Sequence, residues 1–496
     1  MSILAIDAGT TGITTLVVSS AGATLARGYQ EFEQHFPQPG WVEHDPEQIW
    51  QATLASVTQA LQALATSPNE SDSPECIGVT NQRETLVLWD RQTLRAPCNA
   101  IVWQDRRTSD LLNDQRFVEA AAEVQRLTGL PLDPYFTSSK LLWVKRNLPE
   151  VWRGVAAGVT AVGTVESYLV ARLTGARSHI TDATNASRTQ LYNLHTGDWD
   201  DSLLELFEVP RTALPTIVSS YGNLASTFGP AFLGLELPIT ALAGDQQAAL
   251  FGQGATSAGD AKCTYGTGAF LLMHTGDSIV ANDAGMLTTV ALQHPDGRRD
   301  FALEGSVFVA GAAVQWLRDG LQMIETSAEV ESLASQVRDS DGVAFVPAFT
   351  GLGAPFWNPD ARGEITGITR GTTKAHIARA ALEGIAFQVR AVFEAMTGQP
   401  DAVKLTRLRV DGGASVNNLL MQIQADQLGV AIERPEQLET TALGVAYLAG
   451  LGQGIFASSS EVSQLNKVRT RFAPNPSDSA TYEGWRNQVS RMLGRG

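Results

Sequence analysis

Pro238-Ile239-Thr240-Ala241-Leu242-Ala243-Gly244-Asp245-Gln246-Gln247-Ala248-Ala249-Leu250-Phe251-Gly252 lies close to the midpoint of the chain. Its first six residues form an apolar run of strand length, and Gln247 onward reads as the start of a helix. Asp245 thus falls at the carboxyl end of a buried strand, beside a helix N-terminus, where open α/β sheets bind their ligands. A partly dried carboxylate at that point can take the proton of a hydroxyl whose oxygen attacks phosphorus. Asp is also a favoured helix N-cap, and the stretch alone favours that plainer reading. The rest of the chain shifts the balance.

Working outward, Ile3-Leu4-Ala5-Ile6 runs straight into Asp7-Ala8-Gly9-Thr10-Thr11-Gly12, and Thr14 to Val18 and Thr24 to Tyr29 read as the next two strands. The glycine loop joins strand to strand, unlike a Walker loop or a dinucleotide fingerprint, where it feeds a helix. Its amides and hydroxyls can still face phosphate oxygens, and Asp7 at its lip can hold a magnesium ion through water. Asp45-Pro46-Glu47-Gln48 starts a helix with an apolar stripe from Ile49 to Leu64. Cys76 to Val79 is a buried-type strand that ends in Asn81-Gln82-Arg83-Glu84-Thr85. Adjacent charges at a strand end are costly inside a core; they are either a solvated turn or a donor and an acceptor offered together to a small polyol. A Pro-rich loop then delivers Tyr135 and Phe136, and Val162 to Leu173 reads as helix.

Beyond a weakly patterned, Pro/Gly/Ser-rich stretch at 210–237, the same grammar starts again. Thr264-Tyr265-Gly266-Thr267-Gly268 is a second Gly/Thr hairpin, Phe301 to Phe308 a strand, and Gly311 to Leu317 a helix start. Ile377 to Met396 is a long amphipathic helix. Leu408-Arg409-Val410 leads into Asp411-Gly412-Gly413-Ala414, Asn417 to Leu428 is the next helix, and Thr441 to Leu451 reads as the last. Two such halves predict two α/β domains, 1–250 and 251–496, facing a central cleft on which both Gly-loops converge.

The 496 residues exceed a single core, and 44% apolar with 18% charged residues describes a globular chain. A formal charge of −16 argues against non-specific binding to nucleic acid or anionic membrane. Cys76, Cys98 and Cys263 are odd in number and widely spaced, which predicts neither disulfides nor zinc and suits a reducing compartment. No apolar run reaches the roughly 18 residues of a membrane span. The expected location is cytoplasmic.

In combination these stretches resemble the FGGY carbohydrate kinases over nearly the whole length. Tyr135-Phe136-Thr137-Ser138-Ser139-Lys140-Leu141-Leu142-Trp143-Val144 and the segment Gly363 to Glu383 match the family signatures. Gly40-Trp41-Val42-Glu43-His44-Asp45-Pro46, Asn81 to Thr85, Gly244 to Gly252, and Pro347-Ala348-Phe349-Thr350-Gly351-Leu352-Gly353-Ala354-Pro355 are similar to the glycerol-phosphorylating branch. The resemblance implies two RNase H-like (actin/hexokinase-type) domains and MgATP-dependent phosphorylation of glycerol to glycerol 3-phosphate. It implies that Arg83, Glu84, Tyr135, Asp245 and Gln246 bind glycerol, with Trp103 and Phe270 against its carbons and Asp245 as base. ATP would meet Thr10, Thr11, Gly12 and Thr267 at its phosphates and be held by Gly311, Gln315, Gly413 and Asn417, with Mg²⁺ ordered by Asp7. Family members are commonly homodimers or homotetramers.

The chain departs from the family twice. Thr14 stands where a phosphate-facing Arg is expected, so weakened or rewired activity follows. The stretch Phe228-Gly229-Pro230-Ala231-Phe232-Leu233-Gly234-Leu235-Glu236 lacks the basic residues with which some members bind an inhibitory sugar bisphosphate, so no such inhibition is expected. Two alternatives stay open: a sibling kinase for another small polyol or ketose, and a catalytically poor nucleotide sensor, to which Thr14 points and against which Asp245 argues.

Overall fold

The computed structural model describes all residues except 68–72, 281–284, 359, 399–401, 477–479 and 495–496. Its first sheet has six strands in the order Tyr221–Ser226, Pro238–Gly244, Pro74–Asn81, Ser2–Ala8, Gly12–Ser19 and Thr24–Glu31. Ser2–Ala8, Gly12–Ser19 and Thr24–Glu31 form an antiparallel meander. Pro74–Asn81 and Pro238–Gly244 run parallel to Ser2–Ala8, so Asn81 and Gly244 end side by side.

Side chains alternate across the first strand, and each face has its own cover. Leu4 and Ile6, with Ile13 and Val17, pack under the helix Pro46–Ala65 through Ile49, Trp50, Val57 and Leu64. Asp45 caps that helix, accepting from the Glu47 amide at 2.8 Å, with Pro46 in its first turn. Ile3 and Ala5, with Leu16 and Val18, pack instead against Thr440–Gln453, a helix from the far end of the chain.

The second sheet repeats this plan. Asp260–Tyr265, Ala269–Gly276 and Arg299–Val307 lie side by side and antiparallel, with Leu287–Gln293 beyond them at the edge; Arg407–Asp411 and Ile432–Pro435 add in parallel on the other side, and Val468–Phe472 ends the sheet antiparallel. Cys263, Tyr265, Leu271, Met273, Leu408 and Val410 bury one face against Lys374–Thr397 and Asn418–Leu428.

Two expectations change. The segment from Val162 is a strand, Thr160–Gly163, paired with Val87–Asp90, and the helix begins only at Val165; Val162 is β-branched and Gly163 favours no helix. Thr440–Gln453 is not the last helix. Ala480–Met492 follows, burying Tyr482, Trp485 and Val489 at i, i+3 and i+7 among many charged neighbours.

The helix Asp245–Gly252 crosses Thr440–Gln453 almost backbone to backbone. A Cβ on Gly444 would overlap the Ala248 carbonyl oxygen, and one on Gly252 the Thr440 carbonyl. That crossing fixes where the N-terminus of Asp245–Gly252 points. No described helix is long and apolar enough to cross a membrane.

Candidate active site

The site lies where the carboxyl ends of Pro74–Asn81 and Pro238–Gly244 meet the second sheet. Gly244, in extended conformation, caps the helix by backbone alone, and Asp245 is its first residue. The Asp245 carboxylate accepts from the Gln246 amide at 2.6 Å and forms an ion pair with Arg83 Nε at 3.2 Å, and its side chain keeps 27% exposure. It is therefore aimed into the site, not folded back as an N-cap. Burial pushes its carboxyl up, against the pull of Arg83 and Lys262.

Arg83 and Glu84 form no solvated turn; both are buried. Arg83 grips Glu304 of the second sheet with both guanidinium nitrogens, at 2.6 and 2.9 Å, and reaches Gln247 Oε1 at 3.2 Å. Glu84 takes a left-handed backbone, φ 59°, and accepts from Arg188 Nε at 2.6 Å. Arg188 also donates to Glu304, at 3.2 Å. Burial alone would raise the Glu304 carboxyl, but Arg188 and Arg83 hold it down at about 2. Glu84, with burial dominant, moves up. A positive φ on a non-glycine residue stores strain, and here it turns the Glu84 side chain to Arg188.

Aromatic rings close one side. Trp103 and Tyr135 meet edge to face at 5.6 Å, and Trp103 Nε1 donates to Thr10 Oγ1 at 3.0 Å. The Tyr135 loop is tied down by Lys140, whose buried ammonium donates to the carbonyls of Pro134, Tyr135 and Phe136. Burial brings that ammonium down to about 7. Phe270 is half-buried in the second sheet, opposite Thr264 and Ser306 in register.

The first Gly/Thr turn is closed by the Gly9 amide on the Gly12 carbonyl at 3.1 Å, with Thr11 exposed. Thr14 pairs with Asp7 across the hairpin and is nearly buried. Burial, with Asp245 and Glu439 nearby, pushes the Asp7 carboxyl up to about 8. Carboxylates crowded in this way fit a divalent cation. Among the described residues no group of three or more His, Cys, Asp or Glu could hold a metal.

The second turn gathers the remaining predicted residues. Thr267 carbonyl accepts from the Ala310 and Ala312 amides, and Gly311 donates to Gly266 at 3.0 Å. Gly311 and Gly412 both approach this turn too closely for a side chain: an added Cβ would lie 2.5 Å from the carbonyl oxygens of Gly266 and Tyr265. Gly413 beside them is open, and Gln315 is exposed. Asn417 caps its helix through Oδ1, accepting from Leu420 at 2.8 Å, which occupies the side-chain oxygen. In the stretch 228–236, Arg177 from an earlier segment stacks 3.7 Å over the Phe228 ring.

Glu304, Arg188 and Lys262 were not among the sequence candidates. Glu304 and Lys262 each place a charge at a fully buried strand position, a costly placement that marks them. Arg188, in a polar loop, gave no signal until the fold brought it to Glu84.

The N-terminal domain of the FGGY family of carbohydrate kinases matches residues 2–252, and its C-terminal domain matches residues 261–452. The chain belongs to the FGGY family of carbohydrate kinases, and it has the family's two-domain RNase H-like architecture. Its relatives narrow the class to glycerol kinases. The chain is 52% identical to the glycerol kinase of Delftia acidovorans, over 95% of its length and 94% of that protein's. The crystal structure of Plasmodium falciparum glycerol kinase with ADP superposes with a TM-score of 0.93 at 35% identity, covering 99% of this chain and 98% of that one. Ligand-bound xylulose kinase from Lactobacillus acidophilus, at 23% identity and TM-score 0.88 over 99% and 98% of the two chains, shares the fold.

Proposed function

We propose that the protein transfers the terminal phosphoryl group of ATP to glycerol, giving sn-glycerol 3-phosphate and ADP, with Asp245 as general base. The observation that carries this reading is the Asp245–Arg83–Glu304 chain of contacts, which joins both halves of the molecule at one buried point. A neutral triol offers no charge to grip. Selectivity must come from hydrogen bonds that a wrong substrate leaves unmade in dry surroundings. Arg83 offers donors and Glu84 an acceptor there, Gln246 an amide beside the base, and Trp103, Tyr135 and Phe270 an apolar wall.

In the transfer, the glycerol O–H bond breaks as its oxygen bonds to phosphorus, the proton passes to Asp245, and the bond to the leaving ADP oxygen opens. A carboxyl raised by burial is the stronger base for this task. Thr10, Thr11, Gly12 and Thr14 on one side and Thr267 on the other meet the phosphates; Gly311, Gln315, Gly413 and Asn417 hold the nucleoside. Magnesium at Asp7, when bound, neutralises charge on the phosphate oxygens. The chain works as two domains, 1–250 and 251–496, whose closure excludes water from the site.

ADP release with MgATP and a panel of glycerol, erythritol and xylulose tests the substrate. Glycerol is expected to lead in kcat/KM by roughly 100-fold or more. A preference for xylulose would replace this reading with that of a ketose kinase.

A further inference from the structure

Arg83 and Arg188, the two buried guanidinium groups of the site, are paired with carboxylates, Arg83 with Glu304 and Asp245 and Arg188 with Glu84 and Glu304. Lys262 is fully buried beside them, and its direct partners are both neutral: its ammonium donates to Gln246 Oε1 and, at 2.9 Å, to Thr264 Oγ1. It makes no ion pair among the described residues; Asp411 and Asp245 act on it only at longer range. Burying a lysine against neutral oxygens alone is expensive, and burial accordingly draws its ammonium down.

The placement of Lys262 is specific. In the strand Asp260–Tyr265, Cys263 and Tyr265 face the core of the second half, so Lys262 and Thr264 face the opposite way. Lys262 therefore bridges the residue beside the base and the strand that enters the second phosphate turn. The first phosphate loop offers no cation at all: Gly12-Ile13-Thr14 carries only a hydroxyl there.

We propose that Lys262 is a positioning residue for phosphoryl transfer, which holds the Gln246 amide beside Asp245 and supplies the positive charge that the first phosphate loop lacks. The inference rests on the glycerol-phosphorylating reading above. As the substrate oxygen bonds to phosphorus and its proton neutralises Asp245, the Lys262 charge is left facing the group in transfer. The leaving ADP oxygen keeps the electron pair of the broken P–O bond. Charge placed where it is needed only during transfer raises kcat more than it lowers KM.

The test compares wild type, Lys262→Met, Lys262→Arg and Lys262→Met with Thr14→Arg, by steady-state ADP release and by calorimetric titration of glycerol. Lys262→Met is expected to lower kcat by about 100-fold or more while glycerol affinity changes by less than about tenfold. Lys262→Arg is expected to recover part of the rate, and Thr14→Arg to recover rate in the Lys262→Met background by restoring a cation on the phosphate side. A folded Lys262→Met variant, binding glycerol with unit stoichiometry, whose kcat stays within about threefold of wild type overturns the inference and leaves the kinase reading intact. So does a loss of rate that neither arginine variant relieves. Wild type without glycerol-dependent ADP release overturns both.

Discussion

At Glu304 the fold keeps a carboxylate that no solvent reaches, held by Arg83 and Arg188 together. A buried pair is weak evidence of net stabilisation, but removing one partner strands the other charge. Glu304→Gln is expected to cost about 3–5 kcal/mol in urea unfolding at pH 7. The carboxyl titrates at about 2 in the folded chain and at about 4.3 in an unfolded one. Its contribution is therefore complete above that unfolded value and is lost as pH falls toward 2. The gap between wild type and Glu304→Gln should hold steady from neutral pH down to about 4.5 and narrow below it. A gap that widens on acidification would contradict the charge assignment. Sequence reading reached Arg83 and Glu84 because charges at the end of an apolar strand are anomalous. It could not reach Arg188, whose partner is 104 positions away; only the fold makes that pair.

Among the elements, the crossing of Asp245–Gly252 over Thr440–Gln453 aims Asp245, the proposed base. Gly444 sits where the Ala248 carbonyl leaves no room for a Cβ, so the two helices must part to admit one. Gly444→Ala is expected to destabilise the chain by about 1–3 kcal/mol and, by moving the helix that begins at Asp245, to lower kcat as well. Thermal unfolding and ADP release read the two effects. A variant as stable and active as wild type would show that the crossing is not what places Asp245. Helices with a clear stripe or cap, such as Pro46–Ala65 and Lys374–Thr397, were legible from sequence. The helix Ala480–Met492 was not, because its apolar contacts are few and spaced among charges. Nor could any periodicity tell that Thr440–Gln453, from the second half, would cover the sheet of the first.

Across the whole molecule, the repeated plan of antiparallel strands with parallel ones added beside them was visible as a repeated order of strands, Gly/Thr turns and helices. The two turns are built to different degrees. The second is braced by Gly311 and Gly412 in close backbone contact, whereas the first is closed by the Gly9 amide on the Gly12 carbonyl. Under the proposed phosphate contacts, Thr14 leaves the first turn without a cation. The family expectation of a homodimer or homotetramer stands as a proposal. Asp245 is proposed to take the glycerol proton during transfer, and ADP release from MgATP, with and without glycerol, in wild type and Asp245→Asn reads that step. Glycerol-dependent release is expected in wild type, with a fall of roughly 10²–10⁴-fold in the variant while glycerol still binds; an Asp245→Asn enzyme that turns over like wild type would rule out a base at Asp245.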